Sequence, residues 1–491
     1  MRTQNTLTGR VVAPWNPAYD VSRVDYNARF APFFPDYIVY AEAIGDIVRA
    51  LTWASHHHIE FRIRSGGHSY EAYSLLNRGL VIDVSALHFI HREESTGLWH
   101  MGPGATLLDV YQTLWNQAHM TIPGGSCPTV GLSGLTLGGG GGGLTSRQFG
   151  LSIDALAQVQ MVDARGQTLY ASRQVHPELF WALRGAGANN FGVITELTFQ
   201  AFPVSTVSIF AIHWQWARLP GVLQGFQDWA DPQGLNRRLT AILTLTSKAS
   251  GRVSVVGQFL GLKDALGPLL TPLMQIPGRT DYTVQEMNYL EAVRHFAGVA
   301  SRPSLWVAQG IADHDVFKNT SASLYEKFSD PAIRLLVAAL SDTPGPACLV
   351  QLGIMGGRIA DIAPDATAFY HRKARSDLQY QAYWTQPHQA RSHIRWVENF
   401  RRAMEPWTVG AYVNYCDGSI ADWADAYYGN NLSHLLTVKR QWDPENLFRY
   451  PQGLSELTRP GICLRHSPAQ FRPVTSSPPC SPHSWSVDTP W

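Results

Sequence analysis

The stretch from Thr121 to Gly150 reads TIPGGSCPTVGLSGLTLGGGGGGLTSRQFG, with six consecutive glycines at 138–143 and one cysteine, Cys127. Glycine lets the main chain approach a ligand closely, and successive exposed amide N–H groups form a concave anion site. Apolar, patterned sequence flanks the run, unlike the serine, glutamine or charge that surrounds a flexible linker. The stretch therefore predicts a backbone wrapped around phosphates or around a flat ring system.

Two familiar nucleotide-binding loops do not match this stretch. A P-loop requires Gly-Lys-Ser/Thr, but Gly143 is followed by Leu144 and Thr145. No G-x-G-x-x-G lies between a predicted strand and a predicted helix, so the Rossmann fingerprint is missing as well.

The composition is that of a globular chain with no strong net charge. A length of 491 residues predicts two or three domains. Lys+Arg 39 against Asp+Glu 38 leaves a net charge of +1. Because this balance attracts neither nucleic acid nor an anionic membrane, we expect neither as a partner.

Neither targeting nor metal binding is indicated. No apolar run reaches the roughly 18 residues of a membrane-spanning helix, and no signal-peptide pattern opens the chain. We therefore expect a cytoplasmic protein, with export left open. The cysteines at 127, 348, 416, 463 and 480 form no C-x-x-C, so neither a disulfide framework nor a zinc site is predicted. His56-His57-His58 cannot converge on one ion from a helix and is interpreted as surface.

Hydrophobic periodicity changes near Pro203. Before it, a β-α-β-like order of strand 38–40, helix 41–57 and strands 60–64 and 80–84 predicts an α/β unit. Further strands are predicted at 98–103, 155–163, 166–171 and 191–199, and helices at 107–117 and 178–183. After it, longer alternating strands at 204–216, 238–247 and 252–260 and helices at 331–339 and 389–404 predict an α+β domain with an antiparallel sheet. A strand at 409–415, a helix at 432–442 and a disordered Pro/Ser-rich tail from 459 complete the prediction.

Two glycine turns carry candidate nucleophiles. Arg64-Ser65-Gly66-Gly67-His68-Ser69 follows a predicted strand directly and forms a second anion-friendly turn, in which Arg64 is either a phosphate ligand or a surface residue. A lone histidine in such a turn is usually a solvated or hydrogen-bonded side chain. His68 and Cys127 attract attention because two glycine turns of one predicted domain each carry one of them.

Several ordered motifs together resemble the berberine-bridge-enzyme-like group of the vanillyl-alcohol-oxidase superfamily. They are RSGGHSYEAY at 64–73, IPGGSCPTVGLSG at 122–134, SRQFGLSIDAL at 146–156, LFWALRGAGANNFGVITELTF at 179–199, NYCD at 414–417 and YYGNNLSHLLTVKRQWDPENLF at 427–448. The resemblance extends from about residue 5 to residue 458. It implies an α+β fold with a two-subdomain PCMH-type FAD-binding domain and an antiparallel-sheet substrate domain with helices.

The same resemblance implies domain limits and flavin contacts. The FAD-binding domain would comprise 1–206, with its core at about 34–206, and the C-terminal module 408–458. The substrate domain would comprise 207–407. The flavin would be bonded at its 8α-methyl to His68 and at C6 to Cys127. The pyrophosphate and the ring would be approached by main-chain groups of Arg64, Ser65, Gly66, Gly67, Ser69, Gly138, Gly139 and Gly140. The adenine side would be contacted by the main chain of Gly192, Val193 and Ile194. Further flavin contacts would come from Val130, Gly131, Tyr412 and Asn414.

The resemblance also implies catalytic residues. Val130 matches the position that gates dioxygen in this family, and a small β-branched residue there favours an oxidase that releases hydrogen peroxide. Tyr415 matches the usual base, on a predicted strand whose alternation puts Tyr412 and Asn414 on the opposite face. Asp377 and Gln379 share one face of another predicted strand on the substrate side, although Asp377 could equally be an exposed ion-pair residue.

The expected reaction is oxidation of a carbon that bears a hydroxyl group, with a small molecule and dioxygen as partners of a monomer or homodimer. Oxidation of a sugar at its anomeric carbon is the first choice. Oxidation or oxidative cyclisation of a secondary-metabolite alcohol or amine is the alternative. A flavin-binding protein with little turnover remains a third, since cofactor motifs alone do not guarantee a working substrate face.

Overall fold

A computed structural model describes residues 6–298 and 315–458. The predicted disordered tail at 459–491, with Cys463 and Cys480, lies outside these residues. The strands are β1 Arg10–Val12, β2 Tyr37–Tyr40, β3 Phe61–Arg64, β4 Leu80–Asp83, β5 Ile90–Arg92, β6 Trp99–Met101, β7 Met120–Thr121, β8 Leu156–Val162, β9 Thr168–Ser172, β10 Val193–Phe199, β11 Phe202–Pro203, β12 Thr206–Gln215, β13 Leu239–Thr246, β14 Arg252–Phe259, β15 Arg279–Asn288, β16 Phe317–Leu324, β17 Cys348–Ile354 and β18 Ser376–Tyr383.

The described helices are mostly short. They are α1 Tyr19–Ser22, α2 Ile44–His56, α3 Leu107–Ala118, α4 Leu132–Leu137, α5 Ser146–Phe149, α6 Ser152–Ala155, α7 Pro177–Leu183, α8 Leu219–Trp229, α9 Lys263–Met274, α10 Tyr289–Phe296, α11 Asp330–Ser341, α12 Arg358–Asp361, α13 Ala390–Met404, α14 Trp423–Tyr428 and α15 Leu432–Trp442. Within 6–298 and 315–458, none has the length and apolar character needed to cross a membrane.

The first sheet has four strands in the order β1-β2-β4-β3, and β4 runs parallel to both β2 and β3. This arrangement confirms the predicted β-α-β unit. Helix α2 packs Ile47, Ala50 and Leu51 against this sheet. It begins at Ile44, later than predicted, because the Asp46 carboxylate accepts the N–H groups of residues 42 and 43 and so caps the helix.

The second sheet has the order β5-β6-β10-β8-β9 and is antiparallel throughout. Strands β8 and β9 are joined by the predicted turn at 164–166, which closes with a hydrogen bond from the Gly166 N–H to the Asp163 carbonyl. The glycine-rich stretch lies between this sheet's strands β6 and β8 and contains α4.

The third sheet has seven antiparallel strands in the order β15-β12-β14-β13-β17-β18-β16. One face packs Leu243, Val350, Leu378 and Tyr380 with helices α8, α9, α11 and α13 into an extensive apolar core. Because side chains alternate across a strand, Gln351, Gln379 and Gln381 lie on the opposite face. These three sheets and the antiparallel pair of β7 and β11, together with the helices, confirm the α+β class.

The prediction of a strand at 409–415 is wrong. Only Val409 forms a bridge, to Ser323, and residues Val413–Tyr415 form a 3-10 turn. Gly410 has a left-handed φ of +63°, and the Tyr412 N–H donates to the Ser321 hydroxyl at 2.9 Å instead of to a neighbouring strand. These two features end the pairing after one residue.

Candidate active site

A cavity of about 490 Å³ brings most of the predicted site residues together. It lies between the two glycine turns, the 412–415 turn and the polar face of the seven-stranded sheet. The predicted residues that line it are Ser65, Gly66, Gly67, His68, Ser69, Cys127, Val130, Gly131, Ile194, Gln379, Tyr412, Asn414 and Tyr415. The two candidate nucleophiles and the candidate base therefore share one cavity.

The two glycine turns that carry His68 and Cys127 touch each other. A Cβ atom on Gly66 would lie 2.3 Å from the Gly131 nitrogen, and one on Gly131 would lie 2.3 Å from the Ser65 hydroxyl. The His68 Nε2 lies 2.9 Å from the Thr129 hydroxyl, which ties the imidazole to the turn that carries Cys127. Glycine is thus required at 66 and 131 by close backbone approach.

The Cys127 thiol faces the open cavity and is exposed. The surrounding protein raises its pKa by desolvation, and the nearby Asp315 carboxylate raises it further. The thiol is therefore protonated at neutral pH and must lose a proton before it acts as a nucleophile.

The glycine run reaches the cavity at Gly141 and Gly142, not at the predicted Gly138, Gly139 and Gly140. A Cβ atom would lie 2.0 Å from the Asn414 side-chain oxygen at position 138, 2.8 Å from Phe369 at position 139 and 2.0 Å from the Ser152 hydroxyl at position 140. Protein atoms fill the space beside these three glycines. The glycines therefore allow other segments to pack closely against the run, and they do not line the cavity.

Asn414 and Tyr412 hold the glycine run to the 412–415 turn. The Asn414 amide donates to the Leu135 carbonyl at 2.8 Å and to the Tyr412 hydroxyl at 2.9 Å. That hydroxyl accepts the Gly141 N–H at 3.1 Å. Since the segment is a turn, the predicted separation of Tyr412 and Asn414 from Tyr415 on opposite faces is wrong, and all three side chains line the cavity.

Tyr415 stands between two spaces. Its ring stacks on Tyr70 with centroids 5.3 Å apart and meets Tyr412 edge-on at 5.0 Å. It also lines a small adjoining pocket of about 50 Å³ together with Asp377 and Gln379. Among the described residues, neither the Tyr415 hydroxyl nor the Asp377 carboxylate has a hydrogen bond to another side chain.

Burial shifts both groups in the same direction. Desolvation, followed by the Asp377 charge, raises the pKa of Tyr415 well above its ordinary value. Desolvation raises the pKa of Asp377 to about 6. At neutral pH the phenol is therefore neutral while the carboxylate is ionised.

Three predicted flavin contacts lie away from the cavity. The Arg64 guanidinium is buried in ion pairs with Asp83 at 2.5 Å and Asp25 at 3.5 Å, so its side chain is committed to the protein. Gly192 packs against the Met161 side chain and the Val162 carbonyl, and Val193 is fully buried in the core. In this part of the motif the cavity is lined by Ile194.

A row of neutral polar side chains on β16–β18 was not predicted, apart from Gln379. The Tyr383 hydroxyl donates to the Gln381 oxygen at 2.9 Å, and the Gln381 amide donates to the Gln351 oxygen at 2.7 Å. The Asn319 amide donates to the Tyr383 hydroxyl at 3.2 Å. The alternation of Gln379, Gln381 and Tyr383 was the available signal, whereas the pairing with Asn319 and Gln351 depends on strand order.

The part of the cavity wall that the structure describes carries no fixed charge. Among the residues in 6–298 and 315–458 that line it, there is no Asp, Glu, Lys or Arg. That part of the chain likewise contains no group of three or more His, Cys, Asp or Glu residues placed to hold a metal ion.

Comparison with known proteins identifies the family. Residues 35–172 match a model described as FAD binding domain, and residues 411–455 match one described as Berberine and berberine like. The chain is 38% identical over 457 residues to the FAD-linked oxidoreductase YgaK of Bacillus subtilis, an alignment that covers 92% of this chain and 98% of the relative. The chain belongs to the berberine-bridge-enzyme-like family of FAD-linked oxidoreductases.

Two further relatives match most of this berberine-bridge-enzyme-like chain. The solved structure of Physcomitrella patens BBE-like 1 superimposes with a TM-score of 0.85 and 29% identity, covering 91% of this chain and 97% of the other. A chitooligosaccharide oxidase of Gibberella zeae is 29% identical over 452 residues, or 87% of this chain and 89% of that protein.

The residues at the cavity fit FAD. The N–H groups of Gly66 and Gly67 donate to no acceptor within the described residues, and Gly67 has a φ of +65°. Neighbouring unpaired amides in such a turn suit an anion such as a pyrophosphate. The mixture of aromatic and small side chains elsewhere on the wall suits a flat ring system.

Proposed function

We propose that this chain is an FAD-dependent oxidase whose flavin is bonded to both His68 and Cys127. Its substrate is a neutral alcohol, with the anomeric carbon of a sugar or oligosaccharide as the first choice, and dioxygen is reduced to hydrogen peroxide. Flavin binding is assigned to 1–206 and 408–458, and substrate binding to 207–407. One observation carries the proposal: a single cavity, without charged residues in its described wall, holds His68, Cys127 and Tyr415.

The neutral wall supports an alcohol over an amine or an acid. An anionic substrate would lose water on entry and find no cationic side chain in the described wall, which is costly, and an ammonium group would find only the Asp377 carboxylate behind Tyr415. Hydroxyl groups can instead exchange hydrogen bonds with carboxamides and phenols such as Gln379, Gln381 and Tyr383. The Gibberella zeae relative is a chitooligosaccharide oxidase, which supports an oligosaccharide as the first substrate to test.

Tyr415 and Asp377 act one after the other in the proton transfer. When bound, FAD supplies the hydride acceptor for the carbon that bears the hydroxyl group. Tyr415 accepts the hydroxyl proton, but its phenol is already neutral because its pKa is raised. It must therefore give up a proton as it accepts one. Asp377, which lines the same small pocket and is ionised above a pKa of about 6, is the group that takes this proton.

An anaerobic screen tests the proposal. The purified holoprotein is mixed with neutral sugars, simple alcohols and amines, and loss of the flavin absorption band is followed. A neutral sugar or alcohol should bleach the band, and admission of air should restore it with release of hydrogen peroxide. Bleaching by amines alone would overturn the alcohol assignment. Photoreduction without any bleaching by substrates would favour a flavin-binding protein with little turnover.

A further inference from the structure

The His68 imidazole is held on one face by an aromatic ring. Tyr26 stacks on it with ring centroids 4.3 Å apart and an interplanar angle of 19°. The imidazole is also held at one edge, because its Nε2 lies 2.9 Å from the Thr129 hydroxyl. The contact on one face and the contact at one edge together determine the plane of the imidazole and its rotation within that plane.

Tyr26 is itself anchored at two points. Its hydroxyl donates to the Asp315 carboxylate at 2.7 Å, and its backbone N–H donates to the Gly67 carbonyl at 2.9 Å. Desolvation, followed by the hydrogen bond to Asp315 and its charge, raises the pKa of Tyr26, so the hydroxyl keeps the proton it donates. The stacked ring therefore has a defined position relative to the turn that carries His68.

The short segment that contains Tyr26 joins that turn to strand β16. The Asn27 amide donates to the Tyr70 carbonyl at 2.8 Å and to the Phe317 carbonyl at 3.2 Å. The Ala28 N–H donates to the Asp315 carbonyl at 2.8 Å. Asn27 is only 1% exposed, so the segment is a built part of the cavity wall.

We propose that Tyr26, anchored by Asp315, is a positioning residue that orients the His68 imidazole for its bond to the flavin. This inference rests on the covalent attachment proposed above. In that attachment His68 forms a C–N bond that replaces its own N–H bond and one flavin C–H bond. The two hydrogens and two electrons removed pass to dioxygen, which becomes hydrogen peroxide. Tyr26 takes no part in the bond changes and acts through the imidazole.

The two attachments should respond differently to changes at Tyr26. Cys127 lies on a separate turn and acts on Tyr26 only through its charge, without a ring contact or a hydrogen bond between the two side chains. Loss of the stacked ring should therefore lower attachment at His68 and leave attachment at Cys127 unchanged. A general loss of stability would lower both.

The experiment maps flavin-carrying peptides by mass spectrometry after denaturation and proteolysis. It compares the full-length wild type with Tyr26→Phe, which keeps a stackable ring, and Tyr26→Leu, which does not. Tyr170→Leu removes an exposed tyrosine from β9 and serves as a control for the loss of a phenol. Thermal unfolding of each protein is measured alongside.

Tyr26→Leu should lower the His68-linked fraction by about tenfold, since misplacement of a reacting group slows its reaction steeply. Tyr26→Phe should lie between Tyr26→Leu and the wild type, and Tyr170→Leu should match the wild type. Full His68 linkage in Tyr26→Leu would overturn the proposed role of Tyr26 but not the covalent attachment. A wild type without flavin on the peptide that carries His68 would overturn the covalent attachment and the role of Tyr26 with it.

If Tyr26→Leu does not fold, Asp315→Ala decides, because Asp315 is an exposed residue and its replacement removes the Tyr26 anchor together with the charge that acts on Cys127. Slower appearance of the His68 link in a time course would support the inference. The Cys127 link should not slow, since removal of the Asp315 charge lowers the thiol pKa. An unchanged His68 time course would overturn the inference.

Discussion

At the scale of single residues, the chemistry depends on two groups whose protonation is shifted by burial. Tyr415 is a neutral phenol at neutral pH, because its pKa lies well above its ordinary value. It must therefore release one proton whenever it accepts another. Asp377 is ionised at neutral pH and has no hydrogen bond to another described side chain. In the proposed reaction the two residues therefore act together, with Tyr415 at the substrate and Asp377 behind it.

Replacement of Tyr415 tests the substrate-side half of this pair. Tyr415→Phe should lower kcat by about 10²–10⁴-fold, the usual contribution of a positioned acid or base. The flavin content should stay at the wild-type value, because His68 and Cys127 lie on other segments. Steady-state kinetics and absorption spectra of the two proteins check both points. An unchanged kcat would remove Tyr415 from the proton transfer.

The pH dependence tests Asp377. Since the carboxylate must be ionised, kcat/KM should rise as the pH rises through about 6 and level off above it. Asp377→Asn should abolish this rise and lower activity at neutral pH. The folded-state pKa lies above the ordinary value of 3.8, so stability should fall as the pH rises between these values. Thermal unfolding of Asp377→Asn should lack that part of the pH dependence.

The sequence predicted residue types at the site better than residue positions. His68 and Cys127 follow from nucleophilic chemistry in two glycine turns and from the family resemblance, and both line the cavity. Arg64 was a reasonable phosphate ligand, yet Asp83 and Asp25 bind its guanidinium. These partners lie 19 and 39 residues away in sequence, so only the folded chain shows the competition.

At the scale of secondary-structure elements, the glycine run acts as a docking surface for the 412–415 turn. Gly138 leaves room for the Asn414 amide, which joins helix α4 to Tyr412. Strand prediction failed at 409–415 because apolar alternation does not report the left-handed Gly410 or the Ser321 hydroxyl that accepts a backbone N–H. The long strands β12–β14 were predicted well, since a buried face enforces strict alternation.

A single methyl group at position 138 tests this docking. Gly138→Ala places a Cβ atom 2.0 Å from the Asn414 oxygen, so the free energy of unfolding should fall by about 1–3 kcal/mol. Gly221→Ala is the control, because Gly221 is exposed in α8 and nothing lies within 4 Å of its Cβ position. The control should be stabilised by about 0.5–1 kcal/mol. Equal effects in denaturant titrations of the two variants would contradict the docking role.

At the scale of the whole molecule, the wall of the cavity combines elements from distant parts of the chain. The two glycine turns and the 412–415 turn carry the reactive side chains, and the seven-stranded sheet supplies Gln351, Gln379 and Gln381. Composition showed only that the chain has almost no net charge. The absence of charge from the described cavity wall depends on which strand faces point inward.

Matched substrates test this neutral wall. A neutral sugar should be oxidised with a kcat/KM at least about tenfold higher than its amino or carboxylic acid analogue, because a desolvated charge finds no partner. Steady-state assays at a pH that keeps the analogues charged make the comparison. Equal values for the three compounds would contradict selection by the wall.

The central claim is that His68 and Cys127 both hold the flavin. The most direct measurement is the flavin that remains on the denatured, washed polypeptide for wild type, His68→Ala, Cys127→Ala and the double variant. The wild type and each single variant should keep the chromophore, and only the double variant should release it. Release of all flavin from the denatured wild type, or retention by the double variant, would contradict the claim.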